Sequence, residues 1–247
     1  MGRSKMNPTT PVSMATPLEN NRSTHWILGA VWCLGFAALT VLLSGCETSD
    51  FEAATLGTPY KPNNIFVATN QLPDDLKRVA VLPLACVGRQ TDLLEGRDAL
   101  EPVLVAELIK AKKFDVITVP PEELSRLTGR ADWTGEEVLP TGFLDLIKKQ
   151  YGCDAVLFCQ LTEFQAYPPL AVGWQLRLVS VRGQKTLWAS DEQFDAGKPA
   201  VMAGARFYQQ REERQFGDES AVWLALNSPR SFGQYSIACL FDTLPAR

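Results

Sequence analysis

Few residues in this chain have the types and spacing that chemistry needs. Glu163, Asp191 and Asp195 fall near the ends of apparent strands. There they read either as an acidic site able to act as general acid and base, or as solvated strand-end carboxylates. The single histidine is His25. If the chain is cut after residue 45, as argued below, no imidazole remains. That excludes a Ser-His-Asp triad, a Cys-His pair and any zinc site needing an imidazole ligand. Carboxylates, Ser-Lys pairs and bound cofactors stay open as catalytic means. The sequence has no GxxxxGK(S/T), no GxGxxG after a strand, no GxSxG and no calcium-loop pattern. No cofactor and no metal is expected, and the balance favours a protein that is not an enzyme.

Six cysteines are present. Cys33 and Cys46 belong to the amino-terminal region, which leaves Cys86, Cys153, Cys159 and Cys239, none in a CxxC. Cys153 and Cys159 flank and line one apparent strand, roughly 20 Å apart if extended. A disulfide needs Cα atoms within about 7 Å, so these two cannot pair there. Cys86 ends another strand and could reach one of them if the strands are neighbours. Otherwise all four are small buried apolar side chains.

The amino terminus carries Arg3, Lys5 and Arg22 against Glu19, then an apolar run from Trp26 to Leu43, then Leu43-Ser44-Gly45-Cys46 and the polar Glu47-Thr48-Ser49-Asp50. A basic region, an apolar core and small residues before a cut site make a secretory signal. The other reading is an uncleaved membrane helix, since the run approaches the roughly 18–20 residues that span a bilayer. Leu43, Ser44, Gly45 and Cys46 resemble the bacterial lipobox. That resemblance implies cleavage before Cys46 and acylation of its sulfur, so that the chain is held by a lipid bilayer. Either reading puts the domain outside the cytoplasm. Residues 1–45 then form a signal peptide, residues 46–75 a tether and residues 76–247 one domain. Glu47, standing where an aspartate would favour inner-membrane retention, points to the outer membrane, with the domain facing the periplasm.

The 247 residues are 46% hydrophobic and 21% charged, a globular composition that excludes a disordered chain or a coiled-coil rod. The formal charge is −4. Removing residues 1–45 leaves 21 basic against 27 acidic residues, a net −6, which argues against nucleic acid as a partner.

The elements that would position any site follow from periodicity. Pro59, Pro62, Pro73 and Asn63-Asn64 mark the tether, with a root-mean-square span of roughly 30 Å. Arg78–Leu84 reads as a buried strand, residues 86–97 as a loop, and Asp98–Lys113 as a helix. Pro102 is tolerable only in the first turn of that helix, and Lys110, Lys112 and Lys113 would close it. Phe114–Val119 is a second strand, and Pro120-Pro121 opens a short helix to about Leu127. Thr141–Tyr151 is a helix that Thr141 can cap, and Gly152–Leu161 is a third strand. This alternation implies a parallel βαβαβ core. Val172–Val181 alternates with period two, placing Val172, Trp174, Leu176 and Leu178 on one face. It turns at Arg182-Gly183-Gln184 and returns from Lys185 to Ser190, an antiparallel hairpin. The carboxy-terminal part reads as helical: Pro199 to about Arg214, Ser220–Leu226 and Phe232–Leu244. The expected fold is α/β, a three-layer-like mixed sheet with a helical carboxy-terminal part.

Arg78–Leu84, Phe114-Asp115-Val116-Ile117, Gly152–Leu157 and the hairpin Leu176–Trp188 together resemble periplasmic lipoprotein domains related to CsgG, LpoB and the amino-terminal domain of TolB. The resemblance covers roughly residues 76–195. It implies a mixed α/β domain without enzymatic activity, used for protein contacts in the cell envelope, but carries over no binding residue. The expected function is therefore a non-enzymatic scaffold or activator that binds an envelope protein. Trp188 is a contact residue or core, and Tyr167-Pro168-Pro169 displays an aromatic or is a rigid turn. Arg206, Arg211 and Arg214, among Gln209, Gln210, Glu212 and Glu213, make a partner-binding helix or a solvated face. A carboxylate-based cell-wall hydrolase would show paired carboxylates roughly 5–10 Å apart. A ligand-binding component of an envelope transport system would show a deep apolar cavity.

Overall fold

The computed structural model describes residues 59–86, 88, 90–213 and 228–247. Seven strands form one mixed sheet: β1 (Ile65–Val67), β2 (Arg78–Val81), β3 (Ala85–Cys86), β4 (Asp115–Thr118), β5 (Ala155–Gln165), β6 (Ala171–Ser180) and β7 (Thr186–Asp195). The helices are α1 (Thr91–Lys110), α2 (Pro121–Thr128), α3 (Phe143–Tyr151), α4 (Pro199–Glu213) and α5 (Pro229–Phe241). The strand order is β1-β7-β6-β5-β2-β4, with β3 also on β5. β2, β3 and β4 belong to the parallel part, while β5-β6-β7-β1 run antiparallel. The α/β architecture with a parallel core and antiparallel extension is the one the alternation predicts.

Period two explains the three layers. Val79 and Val81 of β2, with Ala155, Leu157, Cys159 and Leu161 of β5, pack into one core. Ala80, Val156 and Phe158 pack into another on the opposite face. The first core is covered by Leu100, Leu104 and Leu108 of α1, Phe232, Ile237 and Leu240 of α5, and Val201 and Ala205 of α4. The second is covered by Leu124 of α2, Phe143, Leu144 and Ile147 of α3, and Trp133 from the loop between them. Val172, Trp174, Leu176 and Leu178 share the first core, as their alternation predicts. Trp174 donates to Ser236 at 2.7 Å and Trp188 to Thr243 at 3.0 Å, so two buried indoles fasten α5 and the residues just after it to the sheet. Glu107, buried on α1, accepts from Gln234 at 2.8 Å and from Tyr208 at 3.5 Å, tying α1 to α5 and α4.

Several boundaries differ from the sequence reading. α1 begins at Thr91, so the expected loop 86–97 is mostly helix and Pro102 lies inside it. Leu93, Gly96 and Leu100 follow helical spacing, and a Cβ at Gly96 would collide with Phe164, so glycine is what lets α1 lie on β5. Pro102 and Asp98 are both exposed, which leaves the carbonyl that loses its amide donor at solvent. Only Lys110 of the three expected lysines lies in the last turn. α3 starts after Gly142, which adopts φ 77° in the capping position, and Thr141 does not cap it. The return strand β7 continues to Asp195. The expected tether through residue 75 is partly domain: β1 pairs with β7, and Leu72 is buried. Leu43, Ser44, Gly45, Cys46, the apolar run, Arg214 and Ser220–Leu226 lie outside the described residues. Among the described residues no helix is long and apolar enough to cross a membrane.

The four cysteines in the described part are free, Cys153 and Cys159 buried, Cys86 and Cys239 half-buried. Cys86 stands opposite Leu161, and its thiol lies 3.4 Å from the Leu93 carbonyl.

Asp154 joins the parallel and antiparallel parts at the start of β5. Its Oδ2 accepts from the amides of Lys77 at 2.9 Å and Arg78 at 3.0 Å. Its own amide donates to Arg78 O, and its carbonyl accepts from Val181 N. Partial burial opposes ionisation of the carboxyl, but the two amides and the Lys148 and Arg182 charges outweigh it and hold the group below its ordinary value. A depressed folded value stabilises above the unfolded pKa of about 3.9 and is lost as pH falls through the folded value. Asp154→Asn is expected to lower stability at pH 7 by about 1 kcal/mol, a partly exposed group being screened. Its difference from the parent should shrink below about pH 4, as read by urea unfolding at several pH values.

Candidate interaction surface

The chain enters the described domain at Pro59 and is immediately gripped by β7. Tyr60 Oη donates to Glu192 Oε1 at 2.8 Å, while the amides of Asn63 and Asn64 donate to Glu192 Oε2 at 2.9 and 3.1 Å. The Cys239 thiol on α5 lies 3.2 Å from Tyr60 O. Three bonds on one carboxylate thus set the path of residues 60–64 and deliver Ile65, Phe66 and Val67 in antiparallel register to Ser190, Ala189 and Trp188.

Between this segment, α4 and α5 lies a groove of about 450 Å³. Tyr60, Ile65 and Val67 form one wall, Phe207, Tyr208 and Arg211 of α4 another, and Tyr235 and Cys239 of α5 the floor. The close approach depends on Gly204. A Cβ there would come within 2.5 Å of Tyr235 Oη and 2.9 Å of Tyr60 N, so a larger residue would push α4 off the segment. The aromatic rings pack against one another: Tyr60 edge to face on Phe194 at 5.5 Å, Phe194 edge to face on Tyr235 at 5.8 Å, and Tyr208 tilted on Tyr235 at 5.9 Å. The Arg211 guanidinium lies 5.8 Å from the Tyr208 ring centre. Lys61, Arg211 and Asp242 are the charged residues lining the groove. Burial pushes the Cys239 thiol up to about 12, aided by the Asp242 and Glu192 charges. It is therefore a protonated thiol at neutral pH and not a nucleophile. Burial raises Tyr235 as well, and its hydroxyl has no hydrogen-bond partner among the described residues.

On the opposite face of β1 a smaller polar pocket of about 190 Å³ is lined by Phe66, Glu136, Gln175, Arg177 and Asp191. The Arg177 guanidinium donates to Gly135 O and Gln175 to Glu136 at 2.9 Å, so the loop over this face is held by the sheet.

The residues singled out in the sequence fare differently. Trp188 is fully buried and so presents nothing to a partner. The alternation that marks it as one face of a hairpin is the core face. Tyr167 is 81% exposed, in a turn braced by Gln165, which donates to Tyr167 O and Pro169 O, but it does not line the groove. Arg206, Gln210 and Arg211 are exposed, Gln209 is buried, and of the named arginines among the described residues Arg211 lines the groove. Glu163, Asp191 and Asp195 do not assemble. Asp191 and Asp195 are four residues apart on one strand, about 13 Å. Gln193 donates to Glu163, and Asp195 accepts from Gly197 N at 2.7 Å. Tyr60, Phe66, Phe207 and Tyr235 were not singled out in the sequence. A usable signal was the absence of charge from Pro62 to Pro73, unusual for a solvated linker.

No family model matches the chain, and no curated protein does. Solved structures that align with it include the PelC dodecamer from Paraburkholderia phytofirmans, at 15% identity and TM-score 0.41, over 74% of this chain and 98% of that one. Lipoprotein GNA1162 from Neisseria meningitidis aligns at 17% and 0.36, over 57% and 97%. The LpoB carboxy-terminal domain from Salmonella enterica aligns at 16% and 0.31, over 49% and 85%. With every score below 0.5, the surface is read from its own residues.

If Glu192 is what seats the segment, Glu192→Ala should free residues 60–68 and little else. Hydrogen exchange of the Asn63, Asn64 and Ala68 amides is expected to accelerate tenfold or more while β5 amides keep their rates. The whole-domain loss should be about 1–3 kcal/mol.

Proposed function

We propose that this chain is a lipid-anchored protein of the bacterial cell envelope, attached through Cys46 to the outer membrane, whose periplasmic domain captures another envelope protein without catalysing a reaction. The observation that carries the reading is the groove. Its walls are Tyr60, Phe207, Tyr208 and Tyr235, with Arg211 over one ring. Aromatic and arginine side chains on a partly exposed apolar surface are the composition of protein contact centres. Phe207 is 38% exposed at its lip. Two cations against one carboxylate, in a chain of net negative charge, suit a partner segment that is apolar with an acidic flank. Trp188, buried in the core, takes no part in this contact, whereas Arg211 stands at its wall.

One observation favours a second reading, a ligand-binding component of an envelope transport system. The Tyr235 hydroxyl is buried at the groove floor without a hydrogen-bond partner among the described residues, and the volume lies in the range of small-molecule sites. Such a ligand would have an apolar body and one hydrogen-bonding group.

The two readings separate in one experiment. A photo-crosslinking residue in place of Phe207 in intact cells, followed by mass spectrometry, is expected to capture a defined envelope protein. Capture should vanish with Cys46→Ser and fall about fivefold or more with Arg211→Glu, a loss on the order of 1 kcal/mol. A small adduct without protein would favour the ligand. No capture from a chain still bound to membrane would overturn the leading function.

A further inference from the structure

Parallel strands start on one side of a sheet, so the residues that lead into them gather at one end of the domain. Here β2, β4 and β5 are each led by two consecutive cations: Lys77-Arg78, Lys112-Lys113 and Lys148-Lys149. The register sets these starts level, Arg78 opposite Asp115 and Val79 opposite Ala155. β6 ends at the same level, Ser180 lying opposite Ala155, so Arg182 and Lys185 of the β6–β7 turn join them. Lys148 and Arg182 are both near enough to Asp154 to favour its ionised form. All these cations are exposed except Lys113, which is half-buried.

Few acids offset them. Asp154 spends its carboxylate on the amides of Lys77 and Arg78, and Asp75 lies 2.6 Å from Arg182. Asp74 and Asp115 remain. Among the described residues none of the three cation pairs makes an ion pair, whereas Arg97, Arg126 and Arg130 elsewhere lie against Asp98, Glu123 and Glu137. The other end of the sheet carries Glu163 and Asp195 on its strands, with Asp92 and Glu95 near the start of α1. Charge is thus segregated along the strands of a chain that is negative overall. Lys112 adopts φ 53° just past the end of α1, a position glycine fills without strain. Its charge is kept there against a local cost.

We propose that this end of the domain rests on a bilayer surface bearing anionic phospholipid head groups. The cations lie on all three layers of the end: at the close of α1, at the strand starts and at the close of α3. From β4 across to β7 the sheet alone spans about 19 Å. That breadth suits a flat array of phosphates, whereas a compact acidic peptide would leave most of the charges unused. Six of the eight cations are lysines, point charges suited to diffuse attraction by head groups and not to bidentate recognition. Ile109, 56% exposed in the last turn of α1, shares a shallow depression with Lys112, Phe114 and Val116. An apolar side chain at a basic rim is the composition of an interfacial contact. The anchored reading supplies only the nearness of a bilayer, and the charge pattern stands without it.

The full chain is reconstituted with vesicles of phosphatidylcholine alone or of phosphatidylcholine with phosphatidylglycerol, and acetylation of each lysine is followed by mass spectrometry. On the anionic vesicles Lys112, Lys148, Lys149 and Lys185 are expected to react at least threefold more slowly. Lys61 and Lys198, elsewhere on the domain, should keep their rates. High salt should abolish the protection. The double variant Lys148→Glu, Lys149→Glu should lose at least half of it at Lys112 and Lys185, with unchanged circular dichroism. Flotation with the anionic vesicles alone, the protection intact, would remove the anchor and support this proposal. Equal protection on both vesicle types, equal slowing at Lys198, full protection in the double variant, or flotation with neither vesicle would overturn it. Protection by soluble polyglutamate, with none from anionic vesicles, would assign the face to an acidic protein and overturn it as well.

Discussion

Everything in this domain is arranged around β5, because it must satisfy two incompatible neighbours. On one side it pairs parallel with β2 and β3, and on the other antiparallel with β6. Both of its faces are buried from Ala155 to Leu161, so helices are required above and below. A strand flanked in this way has no freedom of register: a one-residue slip would exchange Leu157 and Cys159 with Val156 and Phe158 between two differently shaped cores. Asp154 fixes that register from the end, holding the first amides of β2 on its carboxylate while its carbonyl takes the amide of Val181. The parallel and antiparallel parts therefore share one origin.

This explains what the sequence made legible. Strands buried on both faces appear as apolar runs, and Val79–Val81 and Ala155–Cys159 could be read without knowing their partners. The β6 face could be read because one side meets α5 while the other, with Gln175 and Arg177, meets a polar loop. The α1 start was hidden because Gly96 and Pro102 both carry the local marks of a break. What overrides them is tertiary: β5 needs a helix close enough to touch Phe164, and only a glycine permits it. The tether boundary failed for a related reason. Ile65-Phe66-Val67 has no periodicity of its own, and its strand conformation comes from β7 and from Glu192, well over a hundred residues away.

The candidate surface was less legible than the fold, for a physical reason. Its residues come from three separate stretches, Tyr60–Val67, Gly204–Arg211 and Tyr235–Thr243. They meet because Gly204 allows the approach and because buried Glu107 holds α4 and α5 against α1. Arg211 was visible as part of a charged run, but its pairing with Tyr208 is a helical i, i+3 relation that matters only once one side of α4 is known to be a wall. Trp188 was visible for the opposite reason. A large aromatic on a hairpin draws attention in a sequence, yet its indole N–H is spent on Thr243 inside the core.

The placement of β1 has a mechanical consequence. Tyr60, Ile65 and Val67, at the start of the described chain, line the groove. Any pull from the chain's amino-terminal side is borne first by the three bonds to Glu192 and the short β1–β7 ladder, not by β5. Any contact that orders residues 60–68 would add to these few bonds and stabilise the segment.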